Sequence, residues 1–104
     1  YLFPYYEKAA DMGWAEAEAT VAYWRYMGFY CEQNKEEGER RFAALTSPEA
    51  ILWGKHYRAF VEEFAGDKAK ALQIRNDLLA ELPAGERLRA HVYAAEIRRF
   101  PFCL

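Results

Sequence analysis

Apolar positions along the chain recur at three- and four-residue intervals and are interrupted by Gly, Pro or a short polar side chain, the pattern of consecutive amphipathic helices. No stretch alternates as a half-buried strand would. Pro4 opens a short helix to Met12 that Gly13 closes, and a second runs from about Trp14 to Met27 before Gly28. Asn34, three residues ahead of Glu37, is a capping-box-like start for a third helix with apolar Phe42 and Leu45. In "TSPEA", Ser47 is an N-cap, Pro48 the first helical residue and Glu49 a first-turn anion, which together predict a helix to about Ala65 ended by Gly66. Asp67 caps a fifth helix with a stripe of Ala71, Leu72, Leu78, Leu79 and Leu82, which Pro83 ends. Leu88, Val92, Ala95 and Ile97 mark a sixth, closed by Pro101, with Arg98 and Arg99 complementing its dipole.

Short connections force neighbouring helices to reverse, so the six pair into three antiparallel hairpins at about 4–28, 34–65 and 67–100. "KAADMGWAEA" at Lys8 to Ala17 aligns with "FAALTSPEA" at Phe42 to Ala50 after one deletion, and Trp24 then falls opposite Tyr57 at an offset of 33. A helix-turn-helix period of this length is the spacing of helical-repeat solenoids. The expected fold is an all-α, right-handed solenoid of about three hairpins in one domain. Alanines at 9, 10, 15, 17, 19 and 22 permit close helix approach, and Trp24, Tyr57 and Phe60 are expected to fill the wider gaps between layers.

"YYEKAADMGWAEAEATVAYWRYMG", residues 5–28, resembles a Sel1-like repeat, a tetratricopeptide-like unit. Tyr5 or Tyr6, Ala9 and Ala10, Gly13, Ala15 and Ala17, Tyr23 or Trp24, and Gly28 fill the places of that unit. The match is weaker over 39–60, where Ser47 and Pro48 stand for the turn glycine, and beyond 67 it is architectural only. The resemblance implies an α-solenoid that acts as an adaptor and shares no active site.

Hydrophobic residues make up 53% of the 104 residues and aromatics 17%, a composition that folds rather than stays disordered. A net charge of -2 with both signs interspersed favours neither nucleic acid nor an anionic membrane surface. Charged residues break every apolar run short of the length a spanning helix needs. The chain begins without Met and without a signal-peptide pattern, so it reads as a stretch of a longer protein whose compartment, cytoplasmic or periplasmic and secretory, stays open.

Candidate chemistry is sparse. His56 and His91 stand 35 residues apart, and no His-x3-His or Cys-x2-Cys spacing points to a metal. Glu36 with Glu37, and Glu62 with Glu63, are adjacent on helices and so diverge, which argues against paired acid and base work. Thr46 and Ser47 lack a nucleophile elbow, and there is no glycine-rich phosphate loop. Cys31 and Cys103 fall at one edge of the expected stack but two units apart, too far for a bridge, and are read as free thiols. The expectation is therefore a non-enzymatic module with no cofactor and no metal, whose partner is another protein or a peptide.

Two surfaces compete for that partner. One is a groove along the first helices of the hairpins, with Tyr6 in register with Arg40, and Lys70, Gln73 and Asp77 as a polar row able to hold an extended peptide. The other is an aromatic edge at Tyr26, Phe29 and Tyr30. Phe100 and Phe102 point either to a missing next repeat or to self-association at the C-terminal end. A dedicated inhibitor or immunity-type protein that plugs one larger partner is the alternative binding role, and a small hydrolase or metal enzyme the alternative of another class.

Overall fold

Three of the helix starts rest on side-chain caps that the sequence announces. Asn34 Oδ1 accepts from the Glu37 N–H at 3.0 Å, Ser47 Oγ from Ala50 at 3.1 Å and Asp67 Oδ1 from Lys70 at 3.0 Å. The Asn34 cap is only half a capping box: Glu37 turns to Arg40 and Arg41, and the Asn34 N–H donates instead to the Arg25 carbonyl at 2.8 Å. The computed structural model describes residues 2–83 and 85–99, with the helical backbone alone at 97–99. Its elements are α1 (Leu2–Asp11), α2 (Ala15–Met27), α3 (Lys35–Ala43), α4 (Pro48–Phe64), α5 (Lys68–Glu81) and α6 (Arg87–Arg99), with no strand among the described residues. α1 starts two residues before the expected Pro4, which fits within a first helical turn because N–H groups there need no intrahelical partner.

α2 is the hub. It packs against α1, α3 and α4, while α4 also meets α5, and α5 meets α6. Ala15, Ala17, Ala19, Thr20, Val21, Ala22 and Tyr23 of α2 are all buried, as a helix covered on several sides requires. The closest approach is between α2 and α3 at Gly38, where a Cβ would lie 2.6 Å from Tyr26 Cβ and 2.7 Å from Tyr26 Cα. Only glycine lets the two backbones meet there.

The main core joins Ala19, Trp53, Leu78, Leu82, Leu88 and Val92, so α2, α4, α5 and α6 share one apolar centre. The interlayer role expected of Trp24 belongs to its neighbour. Tyr23 is buried and stacks on Tyr57 at 4.9 Å, with Phe60 at 6.1 Å, whereas Trp24 is half-buried and turns to Tyr6 of α1 at 4.7 Å. One residue step rotates a helical side chain by about 100°, enough to exchange the α4 side for the α1 side. The Cα radius of gyration is 13.6 Å and the principal extents are 37 × 28 × 23 Å.

Candidate functional site

α4 presents Ile51, Lys55, Arg58 and Glu62 at successive turns of one face, and residues of α3 and α5 flank that row. Toward α3 a recess of about 260 Å³ is lined by Phe42, Ala43, Leu45, Ile51 and Gly54, with Glu39, Lys55 and Arg58 at its border. Toward α5 a wider one of about 560 Å³ is lined by Lys70, Ile74 and Asp77 with Glu62, again bordered by Glu39, Lys55 and Arg58. The shared border makes the two one continuous groove, apolar at one end and charged at the other. On α5 Lys70, Ile74 and Asp77 line the groove, Ile74 also packing against the core, while Ala71, Arg75 and Leu78 face inward.

Charges along the groove are paired across helices. Arg58 donates to Glu39 of α3 in a two-pronged contact, its Nη1 at 2.8 Å from Oε1, and lies 4.6 Å from the Phe42 ring centroid. Hydrogen bonding to Arg58 holds the Glu39 carboxyl below its ordinary value. Lys70 pairs with Glu62 at 3.4 Å and Lys55 with Glu81 at 3.2 Å.

Of the residues expected to form a groove, Lys70 and Asp77 line this one, and Gln73 stands beside it donating to Asp77 at 2.8 Å. Arg40 does not join them. It pairs with Glu37 and borders a third recess of about 250 Å³ with Asp11, Glu18 and Arg41, which shares Leu45 with the first. Tyr6 is further removed, in an aromatic row on the α1 and α2 side: Trp14 stacks on Tyr6 at 6.0 Å, Tyr6 meets Trp24 at 4.7 Å, and Trp24 meets Tyr30 at 4.6 Å.

The expected aromatic edge divides three ways. Tyr30 ends the row just described, 63% exposed and in the left-handed region at φ 62, a costly position for a bulky side chain. Phe29 instead meets Tyr23 at 5.6 Å and Phe64 at 6.2 Å, and Tyr26 lies under α3 at Gly38. Cys31, in the same loop, donates its thiol to the Trp24 carbonyl at 3.5 Å, and burial raises its pKa. Cys103, Phe100 and Phe102 lie outside the described residues.

Sequence distance separated two histidines that the fold brings together: the rings of His56 and His91 are 6.2 Å apart, both beside Trp53. Among the described residues no group of three or more His, Cys, Asp or Glu is placed to hold a metal ion. Sequence reasoning also missed Arg75, which is fully buried, pairs with Glu63 of α4 at 2.6 Å and Glu96 of α6 at 3.4 Å, and lies 4.9 Å from the Phe60 ring centroid. The signal was its register, four residues after Ala71 and three before Leu78 on the inward stripe. Likewise Ile51, Lys55, Arg58 and Glu62 are spaced for one face, which would have named the middle of the groove.

No helix among the described residues is long and apolar enough to cross a membrane. No protein-family model, curated protein or solved structure matches the chain. The likeness to Sel1-like repeats therefore stands on residues 5–28 and their partial recurrence alone.

Proposed function

We propose that the chain is a non-enzymatic protein-binding module, a short stack of tetratricopeptide-like helical hairpins that uses the groove along α3, α4 and α5. The observation that carries this reading is the uncovered face of α4: Ile51, Lys55, Arg58 and Glu62 lie between flanking residues of α3 and α5, leaving a recess of about 560 Å³ open beside them. A concave strip with an apolar end and fixed polar groups is the usual form of a recognition site. Lys55 and Lys70 are the exposed members of its ion pairs, contribute little to folding and are available to set complementarity with a partner, while Arg58 and Glu62 are half-buried.

Affinity capture with the parent chain and with a Lys55→Glu, Lys70→Glu variant tests the reading. A protein retained by the parent and lost by the variant, at unchanged far-UV circular dichroism, supports the groove. The aromatic row is the second candidate surface, favoured by the costly backbone that holds Tyr30 against Trp24. Retention by the charge variant together with loss on Trp14→Ala or Tyr30→Ala transfers the function to that row. Turnover in a broad substrate screen would instead replace a binding role by an enzymatic one.

A further inference from the structure

We infer that the occupant of the α3–α4–α5 groove is an amphipathic α-helix of a partner protein, near-neutral overall and carrying both signs of charge beside an apolar stripe. The inference rests on the groove reading above and adds the partner's conformation and chemistry. An extended peptide brings unpaired N–H and C=O groups along its whole length, and a groove that holds one must answer them. The polar groups lining this groove are charged, and giving one to a neutral backbone group breaks an ion pair without replacing it: Arg58 is joined to Glu39, Lys70 to Glu62 and Lys55 to Glu81, while Asp77 accepts from Gln73. No Asn, Gln, Ser or Thr lines it among the described residues, and Gln73 beside it donates to Asp77. A helix satisfies its own main chain and asks the groove only for side-chain contacts.

Shape and charge agree with that occupant. The α4 row from Ile51 to Glu62 extends about 16 Å, three helical turns, so a short partner helix laid along it meets the groove throughout. Phe42, Leu45 and Ile51 take apolar side chains at one end. At the other, Lys55 and Lys70 have side chains 47% and 59% exposed. Each can turn to a partner carboxylate while the acid it leaves, the exposed Glu81 or the half-buried Glu62, accepts a partner Lys or Arg, so that one ion pair is exchanged for another. The lining carries three cations, Lys55, Arg58 and Lys70, and three carboxylates, Glu39, Glu62 and Asp77, so a helix of one charge sign would meet like charge at half of them.

Two phage-displayed libraries selected against the full chain distinguish the possibilities: helices of about sixteen residues presented on a rigid helical scaffold, and linear peptides of the same length. The expected winners are mixed-charge helices whose affinity falls at least about tenfold on Ile51→Glu or Ile74→Glu, with circular dichroism unchanged. If either apolar substitution lowers helicity, Lys70→Glu, at an exposed position, takes its place. Linear winners that lose affinity on the same variants overturn the helical occupant and leave the groove standing. Helical winners of uniformly acidic or basic composition overturn the mixed-charge chemistry. Winners indifferent to all groove variants but lost on Trp14→Ala or Tyr30→Ala overturn the inference and the groove together.

Discussion

Arg75 shows how much one residue can depend on its surroundings. Its guanidinium is held between Glu63 and Glu96 over the Phe60 ring, yet its Nε and Nη2 lack hydrogen-bond partners among the described residues. A buried ion pair with incomplete hydrogen bonding repays little more than its own desolvation. Arg75→Met alone, which takes the guanidinium cation from both acids, is therefore expected to cost about 3 to 5 kcal/mol in denaturant melts, and adding Glu63→Leu and Glu96→Leu should recover most of that loss. Glu37 is a contrasting surface case. Hydrogen bonding to Arg40 lowers its pKa from 4.5 to about 2. A carboxyl depressed on folding contributes above its unfolded value and loses that contribution as pH falls from about 4.5 toward 2. Carboxyl NMR titration should place its midpoint near 2, and Arg40→Ala should move it upward.

Elements were largely legible because helix boundaries are local chemistry. Asn34, Ser47 and Asp67 cap where their neighbours predict, and Gly28 takes the left-handed C-cap position at φ 80 that its place after Met27 implies. Ser47→Ala should lower stability by about 1 kcal/mol in chemical denaturation, since it leaves the Ala50 N–H without its cap. What spacing did not reveal is which face of a helix meets which neighbour. Tyr23 and Trp24 are adjacent aromatic residues, and pattern alone gave no reason to send the first to α4 and the second to α1. The groove was half legible for the same reason: Lys70 and Asp77 follow from the outer stripe of α5, but Arg40 depends on how α3 is rotated. That rotation is set by the Gly38 contact with Tyr26, a tertiary fact. Gly38→Ala, which improves helix propensity by about 1 kcal/mol, should nonetheless destabilise by about 1 to 3 kcal/mol because backbone atoms stand where the methyl group must go. A thermal melt of the variant above that of the parent would refute the close approach.

Across the molecule, the shared centre of Ala19, Trp53, Leu78, Leu82, Leu88 and Val92 couples the helices of both halves. Leu78→Ala should cost about 2 to 5 kcal/mol, and tryptophan fluorescence and far-UV circular dichroism should report the same lowered midpoint rather than two separate transitions. The hub position of α2 reaches further, into the order in which the protein is made. Its alanine-rich faces are covered by α1, which leaves the ribosome before it, and by α3 and α4, which leave it later. The nascent α1–α2 hairpin thus lacks the α4 cover for Ala19 and Tyr23 until α4 emerges, and its packing is completed only then. Stalling synthesis before and after α4 would locate the step at which the chain first resists a protease.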